Sequence, residues 1–318
     1  MRIAARLVAA AGLVVVGWAL LSSWGGVVHG NPTYLVLLLV TVVGCLLLGW
    51  WSWRLRTPMR GWRLVGSVIL LLVACAWLAG IAWLRPFSAV EPALAAMESG
   101  PTVTVEESAT AVTLLPSDPS SGRGLLYQPG AKVEARAYAA VLRPLAEAGI
   151  TVVIPKQPLG IAFLAMGALD GARESHPDVQ AWAVGGHSLG GTVAAMTAEE
   201  HDEDMVAPVT GLLLHASYPA SDMSTTLTAD VLSVSGTADG LATPADIEAS
   251  AADLPPTTVF LPLDGVVHAF FGDYGPQPSD GEPGVSHDQA RREISDASRT
   301  FVIDVPCPGC GSGATVRP

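Results

Sequence analysis

No acidic residue precedes Glu91, and within that stretch three apolar runs cover roughly residues 7–28, 34–53 and 62–84. This is the feature that most limits what the chain can fold into. A helix needs about 20 apolar residues to cross the ~30 Å hydrocarbon core of a bilayer, and each run is long enough. A helix at the surface of a water-soluble domain keeps a polar face, and these runs have none. Arg63 is the single charged side chain within them, and it lies at a span end. Eight of the nine tryptophans fall in this region. Trp24, Trp50, Trp51, Trp53, Trp62 and Trp83 gather at span ends, as an interfacial aromatic belt does.

The arginines set an orientation. Arg2 and Arg6 precede the first span, and Arg54, Arg56, Arg60 and Arg63 flank the loop between the second and third. The loop around residues 29–32 has no Lys or Arg. The positive-inside rule then places the N-terminus and the 54–61 loop in the cytoplasm. Three crossings leave the rest of the chain on the extracytoplasmic face of the cell membrane. The spans carry no mid-membrane charge, so they lack the ionisable groups of a transport or proton path and read as an anchor.

The whole chain carries a net charge of −12, and residues 87–318 hold 10 basic against 29 acidic side chains. That balance, without a basic patch, excludes a nucleic-acid partner. It also disfavours docking on anionic lipid headgroups and binding of anionic substrates. The expected organisation is a transmembrane region over 1–86, a linker over 87–110 with an edge strand near 102–106, a catalytic domain over 111–304 and a flexible tail over 305–318. Oligomeric state has no signature in the sequence.

From residue 111 the chain alternates. Short β-branched or apolar runs lie at 111–115, 124–127, 151–154, 182–184, 211–215, 231–234 and 258–263. Helix-like stretches lie at 133–148, 159–174, 189–201, 244–252 and 287–303. Strands apolar on both faces, alternating with helices, predict an α/β fold: a doubly wound, mainly parallel sheet.

The segment WAVGGHSLGG, Trp182 to Gly191, joins an expected strand to an expected helix. It contains Gly186-x-Ser188-x-Gly190. The bare pattern is weak, but in a strand–turn–helix setting it is a nucleophile elbow, a turn so tight that only small residues fit on either side of the serine. A nucleophilic serine needs a base, and the base an orienting acid, in the chain order Ser, Asp/Glu, His. Asp239 and His268 each follow the end of an expected strand. Active groups of open parallel sheets gather at the strand C-termini, so both come within reach of Ser188. Only about fifteen residues separate the strand ending near His215 from the one starting near Val231, too few for a cap domain.

The segments Gly124–Gly130, Val152–Lys156, Gly185–Gly191, Ala216–Pro219, Gly236–Gly240 and His268–Gly275, in this order, resemble the α/β-hydrolase superfamily and, within it, its dienelactone-hydrolase-like branch. The resemblance runs from about Gly122 to Ile303. It implies an α/β-hydrolase fold and a Ser188–His268–Asp239 triad. One departure is Gln128-Pro129-Gly130, which stands where many members carry His-Gly.

In that chemistry Ser188 attacks an acyl carbonyl, His268 moves the proton and Asp239 fixes the imidazole tautomer. The N–H of Leu189 is one expected oxyanion donor. Pro129 has no N–H, so the second comes from Gly130 or Ala131, with Ala131 preferred. The substrate class is a carboxylic ester or thioester, with no metal or organic cofactor. Acyl transfer to a cell-envelope acceptor, and a non-catalytic binding or scaffold module on the same fold, are the alternatives.

Other polar residues have plainer expected roles. Asp264, close to His268 in the chain, is a rival for the acid but is expected to form a turn with Gly265, and His187 to pack within the elbow. His215 is structural or lines a pocket wall. Asp273 and Tyr274 steady the His268 loop. His176, His201 and His287 are expected at the surface. Cys307 and Cys310, two residues apart with no further ligand pair nearby, read as a local disulfide, and Cys45 and Cys75 as small apolar residues within spans.

Overall fold

Run length decides the first architectural layer. The structure, a computed structural model, describes residues 1–54, 61–117 and 120–310; Arg56, Arg60 and the tail from residue 311 lie outside the described residues. Four helices build the N-terminal region: α1 (Arg2–Ser22), the short α2 (Trp24–Val28), α3 (Pro32–Arg54) and α4 (Trp62–Trp83). Three of them, α1, α3 and α4, are long and apolar enough to cross a membrane. The first expected span is broken at Ser23, whose backbone leaves the helical region at φ −144°. The Ser22-Ser23 pair and the following Gly25-Gly26 favour that break, because serines compete for local backbone hydrogen bonds and glycines raise the cost of helix. α1 packs chiefly on α3, while α4 buries only Ser67, Leu78 and Ile81. Large apolar side chains such as Leu46, Leu72 and Val73 stay exposed, an arrangement that suits lipid and not water.

The rest of the chain forms one eight-stranded sheet of order β1-β2-β4-β3-β5-β6-β7-β8. Its strands are β1 (Val103–Glu107), β2 (Ala111–Pro116), β3 (Arg123–Gln128), β4 (Thr151–Pro155), β5 (Ala181–His187), β6 (Val209–His215), β7 (Asp230–Gly236) and β8 (Val259–Leu263). β2 runs antiparallel to both its neighbours, β1 and β4, and the remaining pairs are parallel. Side chains alternate between two apolar layers. Leu125, Tyr127, Leu213 and Val234 face α5 (Ala139–Glu147), α8 (Pro244–Ser250) and α9 (His287–Asp304). Leu126, Trp182, Leu212 and Leu214 face α6 (Ala168–Ser175) and α7 (Leu189–His201). Two-sided burial is why these strands read as continuous apolar runs. The β6–β7 connection contains no helix, so no cap rises there.

Three stretches differ from the sequence expectation. The 159–174 stretch forms a helix only from Ala168, because Pro158, Gly160 and Gly167 break it into two short turns and Leu159 is held at φ 56°. The 87–110 stretch is a packed strap and not a loose linker. Phe87 N–H donates to Lys132 O (2.8 Å), Val90 N–H to Asp273 O (2.9 Å) and Arg143 Nη1 to Ala96 O (2.7 Å). At the other end the fold continues past 304. Val305 is buried and its carbonyl accepts from Arg123 Nη1, and the disulfide-bonded Cys307–Cys310 turn lies against Gly122.

His215 ends β6 fully buried, with Nδ1 2.8 Å from the Tyr127 hydroxyl and Nε2 2.9 Å from Ser298 Oγ. Burial pushes its pKa down to about 3. In the unfolded chain it titrates near ~6.5. Because the folded value is the lower one, the neutral ring stabilises the fold fully above ~6.5, and this contribution is lost as pH falls toward 3. Lowering the pH from ~7 to ~5 is expected to cost about 2 kcal/mol at this residue. Thermal unfolding in detergent micelles at the two pH values checks this. His215→Gln should have a flatter pH dependence than wild type; an unchanged dependence would remove His215 as its source.

Candidate active site

The expected elbow is formed by the end of β5, a sharp turn and the start of α7. Ser188 sits at φ 53°, ψ −126°, in a region that L-residues rarely enter and that strains the backbone. The crowding around it explains the glycines. A Cβ on Gly190 would lie 2.2 Å from Gln128 O and 2.4 Å from Pro129 O, and one on Gly186 would lie 2.4 Å from the backbone of Gly190. The turn is fastened from both sides. Ser188 N–H donates to His215 O (3.0 Å), and Ser217 Oγ donates to Ser188 O (2.6 Å).

His268 and Asp239 are brought together. His268 follows β8 in a short 3₁₀ turn, and Asp239 follows β7. His268 Nδ1 lies 2.9 Å from Asp239 Oδ2, and both side chains are buried. The other oxygen, Asp239 Oδ1, accepts the backbone N–H groups of Leu241 and Ala242, each at 2.8 Å. Both oxygens of the carboxylate are thus engaged, which fixes its plane. Among the described residues the Ser188 hydroxyl and His268 Nε2 make no hydrogen bond, so the serine–imidazole contact is not closed in the resting structure. Such contacts tighten when substrate binds.

The two expected backbone donors share one property. Neither Leu189 N–H nor Ala131 N–H has an acceptor among the described residues. Gly130 N–H, the competing candidate, donates to the Tyr138 hydroxyl (2.8 Å) and is already used. Leu189 opens α7, where the first amides have no intrahelical partner.

The remaining candidates separate cleanly. Asp264 Oδ1 accepts from Thr237 Oγ1 (3.0 Å) in an exposed turn and does not bond His268. His187 is buried with its ring 4.4 Å from that of His268, and its Nδ1 is 2.9 Å from the Tyr138 hydroxyl. Burial holds the His187 pKa well below its usual range, so it is neutral packing behind the His268 ring. Asp273 pairs with Arg291 in a buried ion pair, and Tyr274 donates to Gln277 Oε1 (2.9 Å). His287 is not free at the surface: it stacks on Phe270 with centroids 4.4 Å apart and lies 3.4 Å from Asp273. His201 pairs with Asp204 at 2.8 Å.

Two supports have no counterpart in the sequence reading. Asp280 Oδ1 accepts from His268 N–H (3.1 Å) and Gly240 N–H (3.2 Å), while Oδ2 accepts from Ala269 N–H (2.8 Å). One carboxylate thereby ties the histidine loop to the loop carrying Asp239. Its only local signal was the turn-forming pair Asp280-Gly281. Tyr138, which holds both Gly130 and His187, had none. Among the described residues no cluster of His, Cys, Asp and Glu could hold a metal ion.

A family model described as the alpha/beta hydrolase family matches residues 124–292. The chain belongs to that family. Several solved structures are similar to it in backbone only. A dienelactone hydrolase from Anabaena variabilis is 16% identical over 64% of this chain and 99% of its own, with a TM-score of 0.50. A CIB-like hydrolase from Thermoplasma acidophilum is 16% identical over 62% of this chain and 99% of its own, at 0.48. An esterase from Thermogutta terrifontis is 15% identical over 64% and 92%, at 0.44. No curated protein matches the sequence. At 16% identity the likeness to the Anabaena variabilis structure extends to the fold and leaves the substrate open. The α/β-hydrolase fold, the expected parallel sheet and the absence of a cap agree with this family.

Proposed function

We propose that this α/β hydrolase is a membrane-anchored serine hydrolase that cleaves carboxylic esters or thioesters through an acyl-enzyme. The observation that carries the reading is the buried His268–Asp239 pair at 2.9 Å, its imidazole 4.4 Å from the ring of His187 in the turn that holds Ser188 at φ 53°. In the first half-reaction Ser188 Oγ attacks the carbonyl carbon and its proton passes to His268 Nε2. Asp239 stabilises the imidazolium through Nδ1–H. The carbonyl oxygen becomes an oxyanion accepted by the unpartnered N–H groups of Leu189 and Ala131. Collapse breaks the bond to the leaving alcohol or thiol, which takes the proton from His268. Water then repeats the sequence on the acyl-enzyme and releases the carboxylic acid. Where a hydroxyl of an envelope molecule replaces water, the same residues perform acyl transfer.

The apolar exposed faces of α1, α3 and α4 support the anchor. The arginine distribution supports a cytoplasmic N-terminus and an extracytoplasmic hydrolase domain. A fluorescent fluorophosphonate that cannot cross membranes tests chemistry and side together. Intact cells should label, and Ser188→Ala should not. Absence of label on folded, purified protein would remove the serine-hydrolase reading; label appearing only after lysis would reverse the topology and keep the chemistry.

A further inference from the structure

The stretch of residues 157–169, between Lys156 and Asp170, carries no charged side chain. Its chemistry is not used by the triad. It carries three large apolar side chains in the open: Phe163 is 44% exposed, Leu164 54% and Met166 39%. Leu164 also borders a cleft of about 790 Å³ that reaches Asn31 and Lys156.

The stretch touches both halves of the molecule. On one side it is fastened to the tip of the helix bundle. Leu159 N–H donates to Thr33 Oγ1 (3.0 Å), Asn31 Nδ2 donates to Lys156 O (2.9 Å), and Leu159 packs against the Tyr34, Leu38 and Ile81 cluster. On the other side it borders the loop that carries Ala131. Lys132 N–H donates to Gly160 O (2.7 Å), Gln157 Nε2 to Pro129 O (3.0 Å) and Gln128 Nε2 to Ala165 O (3.2 Å). A Cβ on Gly160 would lie 2.5 Å from Lys132 Cα, so the two loops are in backbone contact. The turn over Ala162–Ala165 packs on α7, the helix that begins after Ser188.

Tryptophans mark the level. Trp83 ends α4 and is 65% exposed, and Lys132 Nζ donates to its carbonyl (3.0 Å) and lies over its ring. Trp24 is exposed at the same end of the bundle. Exposed tryptophans at span ends lie at the headgroup layer. The catalytic loop is therefore one side chain away from the membrane boundary, and Phe163, Leu164 and Met166 belong to the segment alongside it.

We propose that residues 161–167 form an apolar lip that enters the headgroup–acyl boundary of the adjacent leaflet, and that the substrate is an ester of a bilayer-resident amphiphile, taken up from the membrane side. The substrate half of this proposal rests on the serine-hydrolase reading; the lip does not. An uncharged, apolar edge lets a domain of net negative charge approach a lipid surface that its remaining surface would avoid.

Two measurements on the full chain reconstituted in lipid nanodiscs test it. The first needs no activity. A bimane label on Leu164→Cys, in a Cys45→Ala, Cys75→Ala background, is expected to emit at shorter wavelength and to be quenched by lipids carrying a nitroxide near the headgroup. Emission as in water, without quenching, overturns the lip. The second compares wild type with Phe163→Ser, Leu164→Ser, Met166→Ser combined, on a long-chain ester dissolved in the nanodisc bilayer and on a short water-soluble ester. The bilayer ester is expected to lose about tenfold or more in turnover as apolar insertion is removed, with the soluble ester unchanged. Equal turnover of the bilayer ester by both proteins, or an equal loss on both esters, overturns uptake from the membrane. A wild type that turns over neither ester instead removes the serine-hydrolase reading and the substrate assignment with it, while the bimane position still decides the lip.

Discussion

Asp239→Asn is expected to lower kcat by about 10⁴ with little change in the fold, the size of effect that a reversed histidine tautomer produces in triads of this kind. The reason lies in which way the amide must face. Asp239 Oδ1 accepts two backbone N–H groups, from Leu241 and Ala242. An asparagine keeps those bonds only by placing its oxygen there. Its NH₂ is then aimed at His268 Nδ1, which must accept instead of donate. The proton moves to Nε2, and the imidazole can no longer take a proton from Ser188. Measuring kcat and KM on an activated ester, with a thermal melt beside it, checks this. The expected pattern is a large fall in kcat, an almost unchanged KM and an unchanged melting temperature. A variant within tenfold of wild type would dismiss Asp239 as the orienting acid.

Gly190→Ala is expected to cost about 3 kcal/mol, and with it the fluorophosphonate reaction. The added methyl would sit 2.2 Å from Gln128 O and 2.4 Å from Pro129 O. Both obstacles are backbone, so no side chain can swing aside, and overpacking of this kind lies at the upper end of the ~1–3 kcal/mol range. For a domain of this size the melting temperature should drop by roughly 10 °C. Relief of the clash pushes the 128–131 loop away from α7, separating the N–H groups of Ala131 and Leu189. Gly167→Ala is the matched control, since its Cβ would meet nothing within 4 Å. Comparable melting temperatures for the two variants would show that the elbow tolerates bulk at Gly190.

The parts of this protein that were legible in the sequence are those whose physics is local. Span length and the missing acidic residues announced three long apolar helices. Two-sided apolar runs announced the parallel strands, and small residues flanking a serine announced the turn at Ser188. Asp239 and His268 stood out as candidates because each lies a few residues past the end of a strand, and strand ends converge. What escaped depends on partners distant in the chain. Tyr138 looks like an ordinary core aromatic until Gly130 and His187 meet its hydroxyl. Asp280 is one of many acidic residues until its oxygens are seen to collect amides from the loops that carry Asp239 and His268. The helix expected over 159–174 failed locally, at Pro158 and Gly160, and the segment took its shape from Thr33 and Lys132, which lie 126 and 28 positions from it or its neighbour in the chain. The 87–102 strap lacked any periodic signal, because irregular chain is held by individual hydrogen bonds and not by a repeating pattern.

The two borders of the sheet bear on how these molecules tolerate one another. Domains held upright on spans in one bilayer share a height and an orientation, so lateral diffusion presents strand to strand far more often than tumbling in solution does. Open strand borders would then template sideways polymerisation. Here β1 ends in Glu106 and Glu107, with Glu107 held by Lys156 at 2.7 Å, and β8 carries Pro262, which has no N–H to offer. Like charges repel at one border and a donor is missing at the other. Under the proposed anchoring, these borders let the molecule be crowded at high surface density without its sheets zipping into ribbons.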